Sequence, residues 1–214
     1  MKAAKKPGLG VVILGAGASA RMGQPKLLLP WQGTTVIGHL ISQWQALGAA
    51  QIAVVLRAKD VALTAELGRL NLAESGRIKN PHPERGMFSS IVCAADWDGW
   101  RREISSWALV LGDQPHLRAE TLRQLLACSA LNRAAICQPA FDGRARHPVI
   151  FPRPAMEELK NSSAATLKDF LKLTTLPRVH CPVADSGLTF DLDTPEDYRI
   201  LVDYQGAHEP PRAG

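Results

Sequence analysis

One loop near the N-terminus combines glycines and cations in a pattern suited to phosphate chemistry. It holds Gly15, Gly17 and Gly23, together with Arg21 and Lys26. Glycines let the backbone approach a ligand and present its N–H groups to phosphate oxygens, and two fixed cations neutralise the charge of a polyphosphate. The pattern predicts a nucleoside triphosphate site, although a tight strand-to-helix connection would also explain the glycines.

The same loop partly matches the fingerprint of dinucleotide-binding folds. Gly15, Gly17 and Ala20 occupy the positions of G-x-G-x-x-G/A. Two features argue against this class: Pro25 interrupts the helix that the fingerprint requires, and the second predicted strand ends in Arg57 instead of an acidic residue. A P-loop is excluded because G-K-[ST] does not follow the glycines.

Three aspartates provide candidate metal ligands. Asp113 directly follows a predicted strand, and a carboxylate at that position suits Mg²⁺ bound together with phosphates; a residue that caps a turn or helix is the alternative. Asp191 and Asp193 alternate along an extended segment and are expected to point to opposite faces, so that one reaches a metal. Distant carboxylates with a basic, glycine-rich loop fit phosphoryl or nucleotidyl transfer.

His147 is a candidate contact for a second substrate. It borders a predicted strand and follows Arg144 and Arg146, a basic setting that suits an anionic group. A histidine that is only a surface or core residue remains the alternative reading.

Predicted strands and helices alternate along the chain. Strands are predicted at 9–14, 51–56, 77–80, 107–111, 134–139, 148–151 and 178–182, and helices at 36–47, 61–70, 87–95, 117–129, 154–160, 164–173 and from 194–196 onward. This alternation predicts an α/β open sheet, whose ligands bind beyond the carboxyl ends of the strands. The basic loop, residues 112–114 and residues 80–90 are therefore expected to share one cleft, while residues 97–105 are expected to form a polar surface connection.

Composition narrows the possible classes of protein. The 214 residues predict a single domain at 9–204, with flexible tails at 1–8 and 205–214. The net charge is +5, but the sequence shows no basic surface pattern interleaved with aromatic residues, so nucleic acid is not an expected partner. No apolar run approaches 18 residues, so no membrane association is expected. The four cysteines form no C-x-x-C pair, which predicts reduced thiols and a cytoplasmic protein.

Five segments, in order and spread over nearly the whole chain, resemble the MobA-like nucleotidyltransferases, and within them the molybdenum cofactor cytidylyltransferases. They are the L-G-A-G-A-S-A-R-M-G-Q-P-K stretch at 14–26, N-P at 80–81 with G-M-F-S-S at 86–90, G-D-Q-P at 112–115, H-P-V-I at 147–150 and D-L-D-T-P-E-D at 191–197. Ala16 matches the cytidylyl branch and favours CTP. Gly15 and Arg146 depart from the family pattern, which has alanine and glycine there.

The resemblance implies a three-layer α/β/α, Rossmann-like nucleotidyltransferase fold with a mostly parallel, mixed sheet. It also implies Mg²⁺-dependent transfer of CMP from CTP to a molybdopterin-type cofactor with release of pyrophosphate. The roles it implies are catalysis for Arg21, Lys26 and Asp113, and metal binding for Asp113 and Asp193. Substrate-binding roles fall on Leu14, Gly15, Ala16, Gly17, Arg21, Lys26, Asn80, Ser90 and His147.

The resemblance also implies a protein partner and leaves alternatives open. Members of this group serve the maturation of molybdenum hydroxylases similar to xanthine dehydrogenase, so an apo-hydroxylase is an expected partner. The alternatives are use of GTP, another phosphate acceptor such as a sugar phosphate, a non-catalytic carrier or chaperone of the finished cofactor, and a dinucleotide-binding oxidoreductase.

Overall fold

The computed structural model describes residues 8–208, with side chains through residue 205. Within this part of the chain the strands are β1 (Gly8–Leu14), β2 (Pro30–Trp31), β3 (Thr34–Thr35), β4 (Gln51–Arg57), β5 (Arg77–Asn80), β6 (Ile104–Leu111), β7 (Ile136–Phe141), β8 (Arg144–Ala145), β9 (Val149–Pro152) and β10 (Arg178–Pro182). The α-helices are α1 (Val36–Ala46), α2 (Val61–Arg69), α3 (Met87–Asp96), α4 (Ala119–Leu131), α5 (Arg153–Lys160), α6 (Leu167–Leu173) and α7 (Pro195–His208). Short 3₁₀ turns occupy Lys26–Leu28, Glu74–Gly76, Pro83–Arg85 and Ser186–Thr189.

One large sheet runs through the molecule in the order β10-β7-β9-β6-β1-β4-β5, with β8 paired to β7. β1 pairs in parallel with β4 and with β6, and β4 pairs in parallel with β5. β9 is antiparallel to both β6 and β7, and β2 and β3 form a separate hairpin. The parallel strands β1, β4, β5 and β6 therefore end at one edge of the sheet, which is where ligands bind in such folds.

Helices cover both faces of the sheet. Val11 and Ile13 of β1 belong to one buried cluster, which includes residues of α1, α2, α4 and α7. Val12 belongs to the other cluster, with residues of α3, α5 and α6. Successive side chains of a strand point to opposite faces, so these clusters are the two sides of the sheet. The predicted three-layer, mostly parallel fold is confirmed.

The segment 97–105 differs from its predicted role as a polar surface connection. β6 begins at Ile104, three residues before the predicted strand. Trp97 lies edge-on to Trp100 with ring centroids 4.8 Å apart, and Trp100 lies 6.0 Å from Trp107. These edge-on tryptophan contacts bury enough apolar surface to hold an otherwise polar segment against the sheet.

The ends of the domain also differ from the predicted boundaries. Gly8, expected in the N-terminal tail, opens β1, and α7 continues to His208, four residues into the expected C-terminal tail. The remaining predicted tail residues, 1–7 and 209–214, lie outside the described part of the chain. Among residues 8–208, no helix is long and apolar enough to cross a membrane.

A disulfide joins Cys128 to Cys181, so the prediction of four reduced thiols is wrong for this pair. The residues are 53 positions apart, and their Cα atoms are 6.3 Å apart. They meet because β10 pairs with β7 while α4 packs against both strands. The spacing of the cysteines in the sequence does not indicate that Cys128 and Cys181 lie together.

A buried polar network ties α4 to the segment that follows β10. The Asp185 carboxylate, 1% exposed, accepts a hydrogen bond from the Thr121 hydroxyl and one of 3.0 Å from the Gly187 amide, and it pairs with Arg118 at 3.2 Å. Burial acts to raise the pKa of Asp185, but the bond from Thr121 and the charge of Arg118 outweigh it and lower the pKa. The network fixes the start of the segment that carries Asp191 and Asp193.

Candidate active site

Gly15 lets the chain turn sharply as it leaves β1. Its amide donates a 2.7 Å hydrogen bond to the Val55 carbonyl of β4. A Cβ atom at this position would lie 2.9 Å from the Leu27 side chain and 3.0 Å from the Val55 carbonyl. Only glycine fits there without displacing a neighbour. Because its amide is already paired, Gly15 shapes the loop and does not supply a phosphate donor, contrary to the expected cradle of residues 15–17.

Gly17 is different, because its open side faces solvent. It is exposed, and a Cβ atom built there would meet no atom within 4 Å. The backbone conformation does not require glycine here, since the position is absent from the residues with positive φ. Gly17 therefore keeps space free beside the loop, as a residue in contact with a ligand would.

Arg57, at the end of β4, holds the loop in place. Its Nε donates a 3.0 Å hydrogen bond to the Ala16 carbonyl, and its Nη2 donates a 2.6 Å bond to the Gly17 carbonyl. Pinning two consecutive carbonyls restricts the orientation of the peptide groups between them. The sequence showed Arg57 only as an argument against a dinucleotide site. Its contact with the loop depends on the parallel pairing of β4 with β1.

The two loop cations converge on one carboxylate. Lys26 Nζ lies 2.5 Å from Asp193 Oδ1, and Arg21 Nη2 lies 2.6 Å from Asp193 Oδ2. The Lys26 side chain is 15% exposed, whereas that of Arg21 is 71% exposed. Lys26 is thus a largely buried charge, whereas Arg21 lies at the surface. The structure brings together three of the predicted site residues.

Asp113 lies beside this cluster, directly beyond β6. Burial raises the pKa of its carboxyl to about 6, the charge of Asp191 adds to that rise, and the charge of Lys26 opposes it. Its Oδ1 is buried and accepts no hydrogen bond from the described residues. A buried carboxylate oxygen without a partner is costly unless a cation or donor completes it.

The segment that carries the other two aspartates is pinned to the same loop. The Leu192 amide donates a 2.8 Å hydrogen bond to the Asp113 carbonyl, and Gln114 Nε2 donates a 2.9 Å bond to Asp191 Oδ1. Residues 191–193 form no strand, and the charges of Asp191 and Asp193 both act on Asp113. Asp191 is held by Gln114, and Asp193 pairs with Arg21 and Lys26, so the two carboxylates have different partners.

A cavity of about 250 Å³ lies at the carboxyl ends of β1 and β6. It is lined by Leu14, Gly15, Gly17, Ala18, Ser19, Ala20, Arg21, Lys26, Leu27, Gly112 and Asp113. Ala16 is buried and does not line it. The donor set suits a hard divalent cation, because Mg²⁺ and Mn²⁺ take carboxylate oxygens and phosphates, and the unpartnered oxygen of Asp113 has no other ligand among the described residues.

Asn80 and Ser90 lie elsewhere. The Asn80 side chain is 1% exposed and donates bonds of 2.8 Å to Ser89 Oγ and 2.9 Å to Ser90 Oγ, while its Oδ1 accepts from the His82 amide at 2.8 Å. Asn80 and Ser89 border a separate groove of about 480 Å³ between α3 and residues 162–165. Asn80 therefore borders a different depression from the one lined by Lys26 and Asp113.

His147 is uncharged near neutral pH. Burial lowers the pKa of its ring to about 4, and its Nδ1 accepts or donates no hydrogen bond among the described residues. It precedes Pro148 through a cis peptide bond at the start of β9. A neutral ring can still form a hydrogen bond with a ligand, so contact of His147 with an anionic second substrate stays a prediction, without a positive charge from the ring.

A family model described as the MobA-like NTP transferase domain matches residues 11–179, and the chain therefore belongs to that family. The chain is 24% identical to the molybdenum cofactor cytidylyltransferase of Escherichia coli K12, over 87% of this chain and 92% of that protein. It is 29% identical to the nicotine blue oxidoreductase of Paenarthrobacter nicotinovorans, over 89% and 95% of the two chains. The crystal structure of Rv0371C of Mycobacterium tuberculosis in complex with manganese is 26% identical and superposes with a TM-score of 0.64, covering 92% of this chain and 98% of that one.

Proposed function

We propose that this protein catalyses divalent-metal-dependent nucleotidyl transfer from a nucleoside triphosphate to a phosphate-bearing acceptor. The observation that carries the proposal is a cavity lined by the glycine loop, Arg21, Lys26 and Asp113, in which both cations pair with Asp193. The manganese complex of a structural relative supports a divalent cation. A nucleotidyltransferase needs such a cluster, because charge builds up on the α-phosphate and on the departing pyrophosphate.

The ion pairs of Asp193 suggest how the site accepts its substrate. In the free protein, Lys26 and Arg21 are both paired with this one carboxylate, so the trio keeps a net positive charge. An incoming triphosphate competes for the same two cations, which leaves the Asp193 carboxylate available to a metal. Asp113 and Asp193 would hold the ion, and the ion would supply positive charge to the phosphate oxygens.

The transfer itself needs no strong base from the protein. An acceptor phosphate oxygen, already anionic at neutral pH, forms a bond to the α-phosphorus, the bond from that phosphorus to the bridging oxygen breaks, and pyrophosphate leaves. Lys26 and Arg21 neutralise the negative charge on the triphosphate as the bond breaks. The loop pinned by Arg57 holds the nucleotide in line with the acceptor.

We further propose that the nucleotide is CTP, the metal Mg²⁺ and the acceptor a molybdopterin-type cofactor. Ala16 and the cytidylyltransferase relative support this choice. Leu14 and residues 15–17 would contact the nucleotide, while Asn80, Ser90 and His147 would lie toward its base and the acceptor. A cytoplasmic location and delivery of the product to an apo-molybdenum hydroxylase belong to the same proposal.

Thermal unfolding with Mg²⁺ and each of CTP, GTP, ATP and UTP tests the choice of nucleotide. A ligand that binds only the folded protein at about 100 times its Kd stabilises it by roughly 2.7 kcal/mol. We expect this stabilisation with CTP and a smaller one with the other three. A preference for GTP would contradict the cytidylyl assignment. NAD and NADP are tested in the same way because one relative is named as an oxidoreductase. Stabilisation of the protein by NAD or NADP, without stabilisation by any of the triphosphates, would contradict nucleotidyl transfer.

A further inference from the structure

Three of the four cysteines meet where α4 packs against β7 and β10. Cys128 lies on α4, Cys137 on β7 and Cys181 on β10. Cys137 is fully buried, Cys181 is 4% exposed, and Cys128 is half-buried. The three sulfur atoms all lie within 4.8 Å of one another. Three separate elements thus place a thiol at one point, although a single disulfide would need only two of them.

The spacing of the sulfurs is close to what a thiolate-bound metal requires. Tetrahedral Zn²⁺ binds thiolates at about 2.3 Å, which separates two sulfurs by roughly 3.8 Å. The three sulfurs lie within 4.8 Å of one another. After reduction of the disulfide, side-chain rotations that move each sulfur atom by about 1 Å are enough to reach that geometry. Burial raises the pKa of the Cys137 thiol, so a bound cation must displace its proton, as coordinated metals do.

A groove with polar lining residues lies close to Cys137. The Cys137 thiol is 3.7 Å from the Ala135 carbonyl oxygen and is hydrogen-bonded by the Ser129 hydroxyl. Ser129 and Ala135 both line a groove of about 330 Å³, together with Arg133. The groove offers an oxygen ligand from a hydroxyl or water, and the Arg133 charge opposes the net charge of −1 that three thiolates and one divalent cation would carry.

We propose that, in the reduced protein, Cys128, Cys137 and Cys181 bind one thiophilic divalent cation of the Zn²⁺ class. The Cys128–Cys181 disulfide is the oxidised, metal-free form of the same site. A dithiol reductant supplies two electrons and two protons, which convert the disulfide into two thiols while the reductant becomes a disulfide. Binding of the cation then releases the three thiol protons. Soft thiolates select such cations over Mg²⁺, so the site is independent of the nucleotide cavity.

Co²⁺ binding to the full-length protein tests this proposal, because thiolate–Co²⁺ charge transfer absorbs in the near ultraviolet. The protein is reduced with a phosphine, freed of reductant under nitrogen and shown by titration to hold four free thiols. We expect one equivalent of Co²⁺ to produce the absorption, and one equivalent of Zn²⁺ to abolish it. Cys137→Ser should weaken Co²⁺ binding by more than about 100-fold, above the loss typical of an outer-shell change.

Cys93 provides the matched control. It is half-buried on α3, away from the cluster, and Cys93→Ser should bind Co²⁺ like the wild type. Cys128→Ser serves as a second variant, and circular dichroism verifies that each variant is folded. The proposal is overturned if the fully reduced wild type gives no charge-transfer absorption, if Cys137→Ser and Cys128→Ser bind as tightly as the wild type, or if Cys93→Ser loses binding equally.

Discussion

Arg57 should control nucleotide affinity without touching the nucleotide. Its two hydrogen bonds, to the carbonyls of Ala16 and Gly17, are the side-chain contacts that hold the front of the loop to β4. Replacing Arg57 with methionine keeps the apolar stem of the side chain and removes both bonds. The loop should then sample other conformations in the free protein, so the nucleotide must order it on binding.

The size of the effect follows from the two bonds. A hydrogen bond that involves a charged group contributes about 1.5–3 kcal/mol. The bond to Gly17 is exposed, so a combined value of about 2–3 kcal/mol is appropriate. At 1.4 kcal/mol for each factor of ten, nucleotide binding should weaken about 30- to 150-fold. Arg57→Lys can replace only one of the two bonds, so the factor by which its nucleotide binding weakens should be about one tenth of the factor in Arg57→Met.

Steady-state kinetics with the nucleotide varied separates this role from a general loss of structure. We expect a raised KM for the nucleotide and a kcat close to that of the wild type, because the bound loop still carries Arg21 and Lys26. Lys59→Met removes the same charge from an exposed position two residues further along and should change KM by no more than about twofold. An unchanged KM in Arg57→Met, or an equal rise in Lys59→Met, would refute the reasoning.

Further predictions concern stability and pH. Gly15→Ala should lower the free energy of unfolding in urea by about 1–3 kcal/mol because its methyl group meets Val55 and Leu27, whereas Gly17→Ala should leave it within about 0.5 kcal/mol and weaken nucleotide binding; equal stabilities would contradict this contrast. Because the pKa of His147 is about 4 in the folded protein, the unfolded chain binds a proton at this residue at higher pH than the folded protein does. The free energy of unfolding of the wild type should therefore fall by up to about 3 kcal/mol as pH falls from 6.5 to 4. His147→Gln should lack this contribution to the pH dependence of stability. Asp185→Asn should lower the free energy of unfolding by about 2–3 kcal/mol at pH 7. Since the pKa of Asp185 is lowered in the folded state, this stability difference should be full above about pH 4 and shrink as pH falls further. A stability difference that persists at pH 2 would argue against an electrostatic origin.

The regular elements were largely predictable because local patterns decide them. β5 and β10 have the predicted limits, and α1 begins at the predicted residue, Val36. Thr35 caps this helix, since its Oγ1 accepts a 3.2 Å hydrogen bond from the Gly38 amide. A continuous apolar run or a capped amphipathic stretch needs no distant partner to be recognised. The β2–β3 hairpin escaped prediction because two-residue strands carry too little pattern.

The site was predictable in its residue types and less so in its connections. Arg21, Lys26, Asp113 and Asp193 were identified from motifs, and the structure brings them together. The contacts of Arg57 depend on strand pairing over about 40 residues, and the cysteine cluster on the packing of α4 against β7 and β10. Contacts between residues that lie far apart in the sequence depend on the topology of the fold, which a local sequence pattern does not contain.

The most direct test of nucleotidyl transfer is the simultaneous measurement of pyrophosphate release and acceptor labelling. The assay combines the protein with Mg²⁺, CTP labelled at the α-phosphate, and molybdopterin or a panel of sugar and alcohol phosphates. The account predicts equal amounts of pyrophosphate and labelled acceptor, a rate that vanishes with a chelator, and losses of at least about 100-fold in Lys26→Met and Asp113→Asn. Wild-type turnover in both variants would contradict the roles given to Lys26 and Asp113. Tight binding of nucleotide and cofactor without pyrophosphate release from any acceptor would contradict nucleotidyl transfer and indicate a carrier.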